Sequence, residues 1–151
     1  MIGSVLGTDY VGVLTIAANT FKVGDSFNLK LSGNITCSNG DEVSIDGYNN
    51  FGTATQSILF TAGPTTLDSL TAGYWELEME FTVRGINGVG LVLSSGNFGQ
   101  FPSPNSGNTI DGVGFNTTSV IDTTVDNTIS VRYTGNIALF NCSQAILTKI
   151  Y

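Results

Sequence analysis

Residues 74–84 read YWELEMEFTVR. Trp75, Leu77, Met79, Phe81 and Val83 are apolar, and between them stand Glu76, Glu78, Glu80, Thr82 and Arg84. Successive side chains of a strand point to opposite faces, whereas a helix brings together residues three and four apart. Wound as a helix, this stretch would scatter its apolar groups around the axis. Extended, it has one greasy face and one wet face, so it reads as a half-buried strand.

The same period of two runs through the chain. It appears in VGVLTIAA (11–18), SFNLKLSGNIT (26–36), EVSIDGY (42–48), TQSILF (55–60), GVGLVLS (88–94), TISVRYT (128–134) and SQAILTKIY (143–151). Between these runs lie KVGD, SNGD, GYNNFG, TAGP, SGNFG and SPNSGN, all rich in turn-forming residues. No segment sustains a helical period with a cap. About eight to ten short strands at this spacing predict an all-β antiparallel sandwich or barrel. Residues 96–112, GNFGQFPSPNSGNTIDG, break the alternation and read as a long surface loop.

The three glutamates raise the question of chemistry. On one strand face they lie roughly 7 Å apart, a spacing that an inverting glycosidase pair could use. A working acid also needs an apolar pocket to raise its pKa. Here the core claims the other face, with Trp75, Leu77, Met79 and Phe81. The glutamates therefore read as a solvated face, with outward Lys30 or Arg132 relieving their mutual repulsion.

Composition narrows the function further. With no histidine, the chain has no imidazole for a Ser-His or Cys-His nucleophile or for a metal. Lys22, Lys30, Arg84, Arg132 and Lys149 are scattered, and the net charge is −7. Nucleic-acid binding needs clustered cations, so it is not expected, and neither is attraction to an anionic membrane. The start, MIGSVLGTDY, shows no secretory signal pattern, and no apolar run is long enough for a membrane helix. Cys37 and Cys142 are expected as buried thiols, with a disulfide left open. Asp41, Glu42 and Asp46 in GDEVSID are oxygen donors without the spacing of an EF-hand loop. Sequons at Asn34, Asn116 and Asn141 are of the kind such compositions produce by chance. No cofactor is implied. Tyr48, Phe51, Phe98 and Phe101 fall in expected loops, where aromatic rings either stack on sugars or line a contact. Phe98, Phe101 and Asn105 mark the 96–112 stretch as a candidate ligand or interface loop.

Four segments, in order, carry a family resemblance: LTIAANTFKVGDSFNLKLSGNIT (14–36), YWELEMEFTVRGINGVG (74–90), FNTTSVIDTTVDNTISVRYT (115–134) and SQAILTKIY (143–151). They resemble a jelly-roll family of bacteriophage and large-virus surface proteins, itself similar to tumour necrosis factor-like and complement globular-head domains. Family members often carry proline where this chain has Ala18, and usually tryptophan where it has Tyr133. The resemblance implies an antiparallel jelly-roll sandwich over residues 10–151, with 1–9 as an N-terminal arm. It implies a non-enzymatic virion structural protein, made in the host cytoplasm and carried on the particle surface. The expected role is a homotrimeric capsid decoration, spike or fibre head whose partners are its own copies and other capsid or fibre proteins. Ile146, Leu147, Ile150 and Tyr151 are expected near a sheet centre or a subunit contact. A carbohydrate- or receptor-binding module is the second expectation, and a glycoside hydrolase is a distant third.

Overall fold

The alternation of residues 74–84 becomes the second half of a strand, β6 (Leu70–Val83), in the computed structural model, which describes residues 4–5, 10–86, 89–102 and 111–151. Trp75, Leu77, Met79, Phe81 and Val83 are buried, while Glu76, Glu78 and Thr82 are half-buried and Glu80 is exposed. The strands before it are β1 (Ser4–Val5), β2 (Tyr10–Ile16), β3 (Ser26–Cys37), β4 (Glu42–Asn49) and β5 (Ser57–Thr66). After it come β7 (Gly90–Phe101), β8 (Asp111–Ile121), β9 (Asn127–Gly135) and β10 (Leu139–Lys149).

All pairings are antiparallel, in a six-stranded sheet, β1-β10-β3-β6-β7-β8, and a four-stranded sheet, β2-β9-β4-β5. With the β7–β8 hairpin set aside, β1 pairs with β10, β2 with β9, β3 with β6 and β4 with β5. That is one long hairpin rolled into two layers, the wiring of a jelly roll. The protein is thus an all-β, jelly-roll-like antiparallel sandwich, as expected. β1 falls within the segment expected to be an arm, yet it pairs with Phe140 and Asn141.

The hairpin is where the sequence reading needs correction. Residues 96–101, expected in a loop, belong to β7, and their cross-strand partners run without a break from Phe101↔Tyr74 to Gly96↔Met79. On the other side β7 pairs with β8 from Gly90↔Ile121 to Gln100↔Asp111. β8 then curls against β5 of the opposite sheet. The Ser119 hydroxyl donates to the Ile58 and Leu59 carbonyls, and the Phe60 and Phe115 rings stack at 4.8 Å. One side of the sandwich is closed in this way.

The core contains one long cross-sheet stack. Trp75 lies flat on Phe140 at 4.4 Å, and Phe140 meets Tyr133 of the other sheet at 4.6 Å. The indole N–H of Trp75 donates to the Asn141 carbonyl at 2.8 Å. To reach it from β6, the side chain must cross β3, and it does so at Gly33, which pairs with both Trp75 and Cys142. A Cβ on Gly33 would sit 1.8 Å from the Asn141 oxygen, so only glycine allows this close approach.

Segments far apart in sequence lock one end. In KVGD, Gly24 takes a φ of 94°, and the Asp25 carboxylate accepts from the Lys22 N–H at 2.9 Å and pairs with the Lys149 ammonium at 2.8 Å. The Ala18 N–H donates to Asp126 Oδ1 at 2.8 Å, and the Asn19 N–H to the Thr123 carbonyl at 2.8 Å. Buried Asn127 donates to the Asp122 and Val125 carbonyls and accepts from Asn49 at 2.9 Å. These bonds satisfy backbone groups that the loop ends would otherwise leave unpaired.

Candidate functional site

The glutamate row lies on the outward face of the six-stranded sheet. Glu76, Glu78 and Glu80 stand opposite Ser32, Lys30 and Asn28 of β3 on one side, and opposite Gly99, Asn97 and Ser95 of β7 on the other. Glu78 pairs with Lys30 at 2.7 Å and accepts from Asn28 Nδ2 at 3.3 Å. The Lys30 ammonium holds the Glu78 carboxyl below its ordinary value, against a smaller upward push from partial burial, and the Asn28 bond adds to the lowering. A lowered pKa suits a carboxylate, not a general acid. Lys30 is thus the cation that relieves the row. Arg132 is not, because β9 lies in the other sheet, and its outward partner there is Asp46.

The other expected positions separate. Phe98, expected in a loop, is 1% exposed and packs in the core beside Trp75. Its place in β7 opposite Leu77 turns it inward. Phe101 is half-buried at the end of β7, tilted against Tyr74 at 6.4 Å. Asn105 lies outside the described residues. Tyr48 sits on β4 rather than in a loop, and Phe51 lies in the following turn. Asp41 caps its own turn by accepting from the Ser38 N–H at 2.8 Å, while Asp46 lies on an outward strand face. Among the described residues, no group of three metal-ligating side chains converges. Cys37 and Cys142 are buried thiols not joined in a disulfide. Cys142 pairs with Gly33, four residues along β3 from Cys37, a separation of about 13 Å, too far for a disulfide. Burial pushes the Cys142 thiol up, outweighing the lowering by backbone hydrogen bonds at Gln144 and Ser32.

In the closing segment, Ala145 to Lys149 pair with Leu31 to Phe27 of β3. Leu147 is half-buried opposite Leu29, whereas Ile146 turns outward beside Lys30 at 45% exposure. Ile150 and Tyr151 follow the strand and are exposed, Tyr151 to 79%. The outward face also carries exposed Leu91, Leu93 and Val120, with Leu91 directly opposite Val120.

A second cluster occupies the outward face of the four-stranded sheet. Ser44, Asp46 and Tyr48 alternate along β4, opposite Thr134, Arg132 and Ser130 of β9. The Arg132 guanidinium lies over the Phe51 ring at 4.2 Å, and Tyr48 meets Phe51 edge-on at 4.9 Å. Burial raises the Tyr48 hydroxyl pKa, the Asp46 carboxylate adds to the rise, and Arg132 opposes it. Ile58, opposite Tyr48, is exposed. At the far end of this face is a mainly apolar cleft of about 250 Å³ lined by Glu42, Val43, Ser44, Pro64, Thr134, Gly135 and Asn136. The sequence reading passed over the grouping of Arg132 with Tyr48 and Phe51. Their alternation puts each on an outward face, but only the β4–β9 pairing brings the two strands together. No family model, curated protein or solved structure matches the chain.

Proposed function

We propose that this chain is a non-enzymatic structural module of a virion surface, a decoration, spike or fibre-head unit that works as a homotrimer alongside other capsid or fibre proteins. The observation that carries the proposal is the interlocking of the four segments that resemble the viral family. Ala18 and Asn19 of the first segment bond Asp126 and Thr123 of the third, and Asp25 of the first pairs with Lys149 of the last. The second segment supplies Trp75 and its cross-sheet stack. The residues that carry the resemblance are thus the ones that tie this jelly roll together, as expected if the likeness extends to the tumour necrosis factor-like architecture. The outward glutamates, with Glu78 held as a carboxylate, favour a solvated wall over a hydrolytic site.

In this reading Ile146, Leu147, Ile150 and Tyr151 meet neighbouring copies. Ile146 on the closing strand and Ile150 and Tyr151 just beyond it are exposed apolar groups, which favours burial between subunits. Light scattering on the purified chain tests the proposal. The expected mass is three times that of the 15.8 kDa chain, and Ile146→Glu, on an exposed outward position, is expected to reduce it to one copy without unfolding. A wild-type chain that stays a monomer at all concentrations contradicts the assembly.

A second reading, a binding module for a host glycan or receptor, is favoured by one observation. Tyr48, Phe51, Asp46 and Arg132 gather on a single sheet face. The two roles are compatible, since one sheet can face other copies and the other a ligand.

A further inference from the structure

The outward face of the four-stranded sheet carries a more specific assignment, which rests on the second reading above. We infer that it is a binding surface for a neutral, hydroxyl-rich oligosaccharide laid along β4 from the Glu42–Asn136 cleft to Tyr48. The face has the mix of groups such a ligand needs. Sugars present apolar C–H faces that pack on aromatic and aliphatic surface, and hydroxyls that bridge an acceptor and a planar donor. Tyr48, Phe51 and exposed Ile58 supply the apolar end. Asp46 and Arg132, directly opposite each other in register, supply a carboxylate beside a guanidinium whose plane is steadied by stacking on Phe51.

Two further features extend the surface. The 250 Å³ cleft continues the face along the same two strands through Ser44 and Thr134, and Glu42 at its rim adds a second carboxylate acceptor. From Ser44 to Tyr48 is about 13 Å of strand, the reach of a short chain of sugars rather than one ring. Opposite Tyr48, the Ser130 hydroxyl is buried with no hydrogen-bond partner among the described residues. A shift of the Tyr48 ring would offer it one from a ligand hydroxyl, relieving the cost of an unpaired buried polar group.

Charge selects among ligands. The chain carries −7, and this face has Glu42 and Asp46 against Arg132. Anionic sugars and nucleic-acid phosphates are therefore disfavoured, while uncharged hydroxyls are accepted by the carboxylates.

The test is an array of neutral, sialylated and sulfated glycans probed with the full chain, followed by titration of the best neutral oligosaccharide. Binding to neutral glycans is expected, weakened about tenfold or more, at least 1.4 kcal/mol, by Tyr48→Ala and by Asp46→Asn, and unchanged by Val120→Ala on the other sheet. Asp46→Asn keeps the side-chain volume at a half-buried position, and an unchanged circular-dichroism spectrum separates lost binding from lost fold. The inference is overturned if no neutral glycan binds, if only anionic glycans bind, or if both variants bind as wild type does. Solution mass is read in parallel. A trimer that ignores glycans removes this inference and leaves the assembly standing, whereas a monomer that binds them does the reverse.

Discussion

Asp25 shows how much of this fold depends on single polar side chains. Burial alone would raise its pKa, but the Lys149 ammonium and the Lys22 N–H outweigh that effect and leave it lowered. A carboxylate whose folded pKa lies below its unfolded value of about 3.9 stabilises the fold above that value, and the contribution fades as pH falls through the folded pKa. Asp25→Asn is therefore expected to destabilise the protein at neutral pH and to differ little from wild type near pH 2, as read by urea denaturation at both pH values. An equal difference at both would contradict the ion-pair account. Phe98 makes a different point. Read as a loop residue, it would be a harmless truncation. Buried against Trp75, Phe98→Ala is expected to cost about 3–5 kcal/mol, measured as a shift in the denaturation midpoint. The two thiols should resist alkylation in the native protein and both react in denaturant, since each is buried and neither is held in a disulfide.

At the scale of the element, the strands that could be read were those with unbroken alternation. YWELEMEFTVR has a charge or hydroxyl at every second place, so its wet face identifies itself. GVGLVLS also reads as a strand but does not mark its wet face, because Leu91, Val92 and Leu93 are all apolar, and only pairing shows that Val92 is buried while its neighbours are exposed. The second half of β7 was hidden by Gly96 and Gly99, which read as punctuation but serve here as small residues inside a strand. TAGP likewise looks like a turn, yet Thr61 to Pro64 continue β5. The aromatic and charged face of the four-stranded sheet was illegible because its members come from β4, a turn and β9, whose pairing spans most of the chain. The closing strand was legible, and its weight can be tested. Removing everything after Gln144 deletes one of the two strand partners of Phe27–Leu31 together with the Lys149–Asp25 bridge. The truncated chain is expected to be insoluble or partly unfolded by circular dichroism. A soluble, native-like truncation would show that β10 beyond Gln144 is dispensable.

At the scale of the whole molecule, the rolled hairpin sets which faces are dry. Each sheet turns its apolar rows to the other, the β8–β5 contact seals one side, and both outer faces are left for water or for partners. The reading of this protein as a structural module rather than a hydrolase depends on that sorting, and on the carboxylate row in particular. Glu78 is the member whose surroundings differ most between the two readings. On an outward face beside Lys30 it must titrate low, while in a sheltered apolar pocket it would titrate high. The deciding measurement is a pH titration of the Glu78 side-chain carboxyl by NMR in the native protein, repeated in Lys30→Met. The account predicts a midpoint below that of an ordinary glutamate, moving upward when the ammonium is removed. A native midpoint well above the ordinary value, insensitive to that substitution, would contradict it.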